Sequence, residues 1–422
     1  MALNEYIVDL HIHSKFSRAC SKDLVLPKIA ETAALKGIYL VGTGDFTHPE
    51  WFKMMRQELK QNEHGFYEVK SVKTFRPVEF VPTTEISCIY KKNGAVRRLH
   101  LLIIAPTLEI VEKLNSRLEK IGNIHSDGRP ILGLDAKELL KIMLDVSGEC
   151  LMIPAHAWTP WFSIFGSKSG FGTVEECFEE LTPHITAIET GLSSDPPMNW
   201  RLSKLDNIML VSNSDAHSLD NLGREANVFR RGDGITYQKL INILRGLKSE
   251  DFLYTIEFYP EEGKYHYDGH AVCGVRLTPE ETERLGGRCP KCQKSITVGV
   301  LSRVQELADR SSEESKPRRV PFKSIVPLRE ILSEVLSMGK QTKKVDAIYQ
   351  TLIPRLGSEF DVLLHVPLAD INAASSPEIS DAIGKMRRGD IEIVPGYDGV
   401  FGTVKIFRSG ERRSVKQDSL FT

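Results

Sequence analysis

Two histidines, His11 and His13, stand two positions apart in the segment DLHIHS. On a β-strand, positions i and i+2 project from one face, so both imidazoles can reach a single ion. Further groups of metal-binding type sit at the edges of apolar runs. Asp45 ends LVGTGD with His48 just beyond, and Glu85 follows VEFVPTT. His100 opens HLLIIAP, His156 ends LMIPAH, and Asp215 and His217 end MLVSNSDAH. A single polar residue where a strand leaves a core is ordinary. A series of imidazoles and carboxylates at such edges, one after another along the chain, points to a shared metal centre and to metal-assisted hydrolysis of phosphate esters. Mixed nitrogen and oxygen donors suit Zn, Mn or Fe, with Mg a further candidate, and do not select among them. Serine or cysteine nucleophiles find no support, because the chain has no GxSxG and no cysteine in a suggestive context.

A second set of donors lies further on. His270-Ala-Val-Cys273 and Cys289-Pro-Lys-Cys292 form two knuckles of x2 spacing, the pattern of a structural zinc ribbon, with His266 a rival for the histidine position. Two loops could reach a substrate. One, following His156, carries Trp158, Trp161, Phe165 and Phe171; the other, following Glu189, carries Ser194 and Asn199. Aromatic residues at the mouth of a metal site could stack on a base taken out of a duplex, and polar side chains could read its edge. Basic clusters at 316–319, 339–344, 385–388 and 412–413 are candidate phosphate contacts.

The elements that must position these groups follow from periodicity. Short β-branched runs at 6–11, 39–43, 78–83, 99–104, 150–154, 187–189 and 208–212 alternate with amphipathic stretches such as 27–36, 108–120 and 237–247. That alternation predicts parallel strands with crossovers, and donors gathered from many strand ends converge only if the strands form a ring. Residues 260–295 are rich in Gly, His, Tyr and Cys; beyond 300 the pattern is mainly helical (300–309, 328–337, 344–352, 376–386), with a polar linker at 310–319 and a β tail at 391–394 and 403–407. The expected domains are therefore 1–255, 256–300 and 301–422. A length of 422 residues fits several domains, and a net charge of −1 confines any polyanion-binding surface to local patches. Residues 1–9 lack a basic start and an apolar run, no stretch is long enough to span a bilayer, and seven cysteines without framework spacing suit a reducing compartment, so a cytoplasmic protein without membrane contact is expected.

As a set, HIH, the strand-end aspartate, the glutamate, the two separated histidines and the final DAH resemble the PHP (polymerase and histidinol phosphatase) hydrolases over residues 5–250. That resemblance implies a distorted (β/α)7 barrel holding two or three divalent metals. It implies one ion on His11, His13, Glu85 and Asp215, a second on Glu85, His100 and His156 with Glu85 bridging, and a third on His217, with Asp45 and His48 available to rebuild that site. The chain departs from the family at the third site, with Ala19 where many members have histidine and Asp45-Phe46 where many have Asp-His. Two cations about 3.5–4 Å apart would supply hydroxide, held beside Glu85 and Asp215, near neutral pH. With LHIHSKFSRA, GTGDFTHPEW, SDGRPILG, AHAWTPWFSIFGSKSGF, GLSSDPPMNWRLS, HAVCGVRL and CPKC added, nearly the whole chain is similar to the endonuclease Q family. This implies cutting of double-stranded DNA on the 5′ side of deaminated bases (uracil, hypoxanthine, xanthine) and abasic sites, with one structural zinc at His270, Cys273, Cys289 and Cys292. A PHP-type phosphatase of small molecules would leave the zinc ribbon and helical tail without a role, and a non-catalytic scaffold would not need the intact donor set.

Overall fold

The computed structural model describes residues 4–311, 314, 320–408, 410 and 411. The basic clusters expected at 316–319 and 412–413 lie outside the described residues, as does most of the linker expected at 310–319. The strand Glu5–Asp9 pairs in parallel with Leu40–Gly42, and that strand in parallel with Glu79–Val81. Beyond Pro82 the chain runs on as Thr83–Lys92, turns, and comes back antiparallel as Ala95–Ile104. Asn93 and Gly94 at that turn have φ of 54° and 75°, the left-handed pair that a two-residue hairpin requires and that Asn-Gly adopts readily.

The returning strand pairs antiparallel with Leu151–Pro154. Ala157 N–H donates to the Glu189 carbonyl at 2.9 Å, leading on to Ala187–Glu189, which pairs in parallel with Met209–Val211. The ring closes where Ile12 and Ala216 form a parallel bridge, with His13 N–H on the Ala216 carbonyl at 3.0 Å. The molecule is a mixed α/β fold, and its ring departs from the expected parallel alternation at one hairpin. The reason is local: no helix intervenes between Glu85 and His100, and the chain has only a two-residue turn in which to reverse.

Closure divides the edge of the first strand. Its lower part pairs antiparallel with Ala226–Arg230, which pairs with Phe252–Glu257, which in turn takes Phe322–Ser324 in parallel. In the fork, side-chain amides replace the missing ladder. Asn213 Oδ1 accepts from Leu10 N–H at 2.9 Å, and Asn227 accepts from Ser212 N–H at 2.9 Å while donating to the Ser212 carbonyl at 2.7 Å. Buried backbone groups left unpaired would cost about 1–3 kcal/mol each, so these amides stabilise the split.

Outside the ring, amphipathic helices cover the strands. Leu26–Lys36 starts with Pro27 in its first turn and buries Leu26, Ile29, Ala30, Ala33 and Ala34, the i, i+3, i+4 stripe of a helix lying on a core. It stops at Gly37, whose φ of 91° and close approach to Ser358 both exclude a side chain. The helical region (Leu328–Leu336, Lys343–Leu356, Glu359–Leu364, Leu368–Ala374, Pro377–Arg388) packs its apolar faces into the same core as the ring. Lys36–Glu359 at 3.7 Å, His365–Glu5 at 2.8 Å and Arg76–Asp361 join the two at their margin. The hairpin Glu392–Val394 with Thr403–Lys405 folds back onto residues 260–267. Among the described residues no helix is long and apolar enough to cross a membrane.

Candidate metal centre

The ring brings six of the expected donor-bearing side chains together at one rim. Glu85 and His100 are not at strand carboxyl ends as expected; they are diagonal neighbours across the hairpin, Glu85 opposite Leu102 and His100 opposite Ser87. Because Glu79–Val81 continues past Pro82, residue 85 rises to the rim, and the strand coming back delivers His100 to the same height.

His11, His13, Glu85 and Asp215 form one group and Glu85, His100 and His156 a second, the ligand atoms of each group within 4.8 Å of one another. Glu85 belongs to both. In the first group His13 Nε2 stands 3.0 Å from Asp215 Oδ1 and 3.5 Å from Glu85 Oε2. His11 Nε2 stands 3.6 Å from Glu85 Oε1 and 3.7 Å from Asp215 Oδ1, and this fully buried nitrogen has no hydrogen-bond partner. In the second, Glu85 Oε1 is 2.9 Å from His100 Nδ1 and 3.1 Å from His156 Nε2.

What lies behind each imidazole decides what the inward nitrogen can do. His11 Nδ1 faces Glu189 at 2.9 Å and His13 Nδ1 faces Asp45 at 3.0 Å. A carboxylate on Nδ1 fixes the tautomer with the Nε2 lone pair pointing inward, the arrangement found behind metal-bound histidines. The orphaned His11 Nε2, the convergent carboxylates and the carboxylate-backed imidazoles all fit divalent cations.

Electrostatics say the same. Burial pushes the His13 imidazolium down, but Asp45 and Asp215 outweigh it and hold it up at about 9. His11 is likewise held well above its ordinary value, against burial, by Glu189 and Glu85. Burial alone would raise Glu85, yet His100, Arg129 and His11 keep it well below the carboxylate range. Burial pushes His100 down to about 4, so that ring is a neutral donor. Anionic carboxylates drawing protons onto buried imidazoles mark a site that prefers cations in their place.

Two expected ligands stand outside both groups. Asp45 is engaged elsewhere: its Oδ1 faces His13 and its Oδ2 accepts from the Ser14 N–H and hydroxyl, each at 2.7 Å. His217 lies with its ring 4.6 Å from that of His13 and its Nδ1 on the Asp215 carbonyl at 2.8 Å. His48 stacks on Phe16.

Three residues not picked out by sequence complete the site. Glu189 orients His11 and also accepts from His156 N–H at 2.9 Å. Arg129 Nη1 donates to Glu85 Oε2 at 2.9 Å, reaching in from a loop where Gly128 packs so closely on Asp45 and Ser17 that a Cβ would collide. Arg224 donates to the Ser214 carbonyl at 2.8 Å and the Asp215 carbonyl at 3.3 Å. It holds in place a residue with a φ of 46°, and Asp45 (49°) and His156 (31°) are left-handed too. Such conformations cost on the order of 1–3 kcal/mol each and persist only where surrounding contacts impose them. Glu189 ends a strand, which is a usable signal; nothing in SDGRPILG or REA marks the two arginines.

The loops expected to hold the substrate point mostly inward, and five of their six chosen residues are not free to touch one. Trp158, Phe165 and Phe171 are each 1% exposed and belong to the core. Trp158 Nε1 donates to Asn199 Oδ1 at 2.7 Å, and Asn199 donates to Ser194 Oγ at 3.1 Å, so the polar pair braces the tryptophan. Loops packed against a core need apolar anchors, and here the aromatic content serves that end. Trp161 is the exception, 42% exposed.

Away from the rim, His270, Cys273, Cys289 and Cys292 gather as a third group, and His266 is not part of it. His270 ends one strand of a small hairpin, Asp268–His270 with Val275–Leu277, and Cys273 sits in its turn. His270 Nδ1 and Cys292 Sγ are 3.4 Å apart, close to the roughly 3.5 Å edge of a tetrahedral zinc site. Burial pushes the Cys289 thiol up, but the backbone N–H groups of Cys292 and Lys291 outweigh it and bring it down to about 6, toward the thiolate that binds metal.

Similarity to known proteins extends over nearly the whole chain. A family model described as the MJ0043 C-terminal domain matches residues 327–390, the helical region. The uncharacterized protein MJ0043 of Methanocaldococcus jannaschii is 33% identical over 254 residues, 59% of this chain, and the chain spans 31% of that protein's length. Two solved structures match far more of it. The lesion-specific endonuclease PfuEndoQ of Pyrococcus furiosus is 33% identical with a TM-score of 0.83, covering 95% of each chain. An endonuclease Q in complex with a 27-mer duplex substrate, an abasic lesion at its active site, is 34% identical with a TM-score of 0.82, covering 96% of this chain and 97% of that one.

Proposed function

The chain belongs to the endonuclease Q family, and on that premise we propose that it is a cytoplasmic repair enzyme that hydrolyses the phosphodiester 5′ to deaminated bases and abasic sites in double-stranded DNA. One observation carries the reading: two donor groups share Glu85 at the rim of the ring, in a chain that matches over nearly its full length an endonuclease Q solved with an abasic lesion at its active site. Divalent cations bound there, Zn, Mn or Mg, would acidify a water and neutralise phosphoryl oxygens.

The chain's own residues do the rest. Glu85, shared by both groups, sets their separation. Glu189 and Asp45 keep the His11 and His13 lone pairs turned inward. Arg129 stays cationic, since burial is outweighed by Glu85, and its guanidinium, partly open at the rim, offers donors to a phosphate oxygen arriving beside Glu85. Arg224 fixes the Asp215 backbone so that its carboxylate does not swing with substrate. His270, Cys273, Cys289 and Cys292 would hold one zinc of purely structural role, because four protein ligands leave no open position.

The test is denaturing electrophoresis of end-labelled duplexes carrying one uracil, hypoxanthine or abasic site, with Mn²⁺ or Mg²⁺ and with chelator. A metal-dependent nick on the 5′ side of the lesion, absent from undamaged duplex, is the expected result. Cutting of undamaged duplex at the same rate, or no cutting with any metal, would overturn the proposal.

A further inference from the structure

Trp161 leaves the loop after His156 with its ring in solvent, and its neighbour Phe162 lies with its ring 4.7 Å from that of His100, at the metal centre. The Trp161 ring meets Tyr265 edge-on, centroids 5.9 Å apart. Lys264 Nζ then sits 5.5 Å from the Tyr265 ring and 5.7 Å from the ring of Phe401. Residues distant in sequence thus make one continuous strip of aromatic rings and a cation, starting at the donor set and ending at the C-terminal hairpin.

Phe401 is 71% exposed, yet its turn is held firmly by backbone bonds. Gly396 N–H donates to the Glu261 carbonyl at 2.8 Å, Gly399 N–H to the Lys264 carbonyl at 2.9 Å, and Gly402 N–H to the Glu262 carbonyl at 3.0 Å. Gly396 and Gly402 lie so close to neighbouring backbone that neither could carry a Cβ. Asp398, the acid of the same turn, is turned onto the Ala271 N–H at 2.6 Å, so its charge is engaged within the protein while Lys264 stands exposed. A turn this tightly bound displays a large ring to water without any structural need for it there.

We propose that this strip is a stacking surface for bases of a DNA strand that have lost their stacking partners next to the cut. The inference rests on reading the chain as a DNA endonuclease. Every base has a π-face, so rings spaced along a path hold a strand without reading its sequence, and the cation between them answers the phosphates. Taking one nucleotide out of a duplex leaves its neighbours unstacked, which creates such bases within reach of the metal centre.

The experiment uses the full chain and two labelled strands of about 12 nucleotides, one of thymidines and one of baseless sugars, both with phosphorothioate linkages to slow cutting. Anisotropy should show that the wild-type protein prefers the strand with bases. Phe401→Ala and Trp161→Ala should each weaken binding of the thymidine strand about tenfold and leave the baseless strand unchanged. Phe401→Leu, which keeps apolar bulk without a π-face, should behave as Phe401→Ala, with an unshifted melting temperature confirming the fold. Lys264→Ala should weaken both strands and lower the salt slope by about 0.7. Equal losses on both strands, no loss, or a wild-type protein that does not distinguish the strands overturns the proposal. Nicking of abasic duplex by the wild-type protein is read alongside: its absence overturns the nuclease reading, whereas the strip stands or falls on bases against no bases.

Discussion

At the scale of single residues, the site couples buried negative charge to imidazoles whose inward nitrogens face carboxylates. Replacing His11 by alanine, or Asp215 by asparagine, should leave a folded protein that binds damaged duplex but nicks it at least about 10³-fold more slowly, since an ion held by fewer groups neither acidifies water nor neutralises the leaving oxygen as well. Asparagine suits position 215 because it tolerates the left-handed backbone. Single-turnover nicking and a binding titration separate the two effects; near-normal nicking would refute the roles given to these residues. Another residue-scale consequence concerns pH. Glu225 and Glu257 are fully buried beneath the rim; burial raises both, Glu225 well above its ordinary value with Glu257 adding to it, and Glu257 to about 8. Acids raised on folding stabilise fully below the unfolded value near 4.5, and that contribution is lost as pH climbs toward 8, at about 1.4 kcal/mol per pH unit for each group. Glu225→Gln should therefore flatten the decline in unfolding free energy between pH 5 and 8, measured by urea denaturation with chelator present; an unchanged slope counts against it. The donor types were legible in the sequence because each stands at the edge of an apolar run. Arg129 and Arg224 were not, because their roles arise from contacts made across the fold, and Glu189, marked only as a strand end, acts on a histidine 178 residues away.

Among the elements, the runs read as strands at 6–11, 39–43, 150–154, 187–189 and 208–212 all coincide with strands. What periodicity missed was the hairpin Thr83–Lys92 with Ala95–Ile104. Its outer half, YKKNGAVRR, is charged and solvent-facing, so the Asn-Gly turn signal lay inside what reads as a polar loop. The aromatic loops misled for the opposite reason: composition gives ring content, and only packing decides which way a ring points. Arg303 shows the packing at work, donating to the Phe165 and Phe171 carbonyls at 3.1 Å each and so binding the loop's far end to the helix Val300–Leu307. The 127–129 loop is another element whose shape matters more than its polarity. Gly128→Ala would press a methyl group onto Asp45 and Ser17, forcing the loop outward and Arg129 off Glu85. A loss of at least about tenfold in nicking rate is expected, with metal content measured by elemental analysis unchanged; an unaffected rate would show that Arg129 does not need this loop's position.

For the molecule as a whole, the zinc-type knuckles and the ring have separate tasks. Cys289→Ser should remove about one zinc per chain and lower the melting temperature while the rim keeps its ions, because a closed four-ligand site contributes folding energy and no chemistry. Elemental analysis with and without the substitution decides it, and equal zinc in both proteins would mean that the knuckles hold none. The ring has a different dependence on the rest of the chain. It closes at Ile12 and Ala216, residues flanked by His11 and His13 on one side and by Asp215 and His217 on the other, and His13 and Asp215 are 202 positions apart. During synthesis at about 5–20 residues per second, a nascent chain therefore displays two histidines and Glu85 for roughly 6–26 seconds before the remaining carboxylate of that group emerges. Until the last strand arrives, a cation at that group finds only a partial set of donors, although Glu85, His100 and His156 are already complete. Tight capture at the group that includes Asp215 thus becomes a timestamp for completion of the ring, and a chain stalled before residue 215 leaves the ribosome without a complete cutting centre.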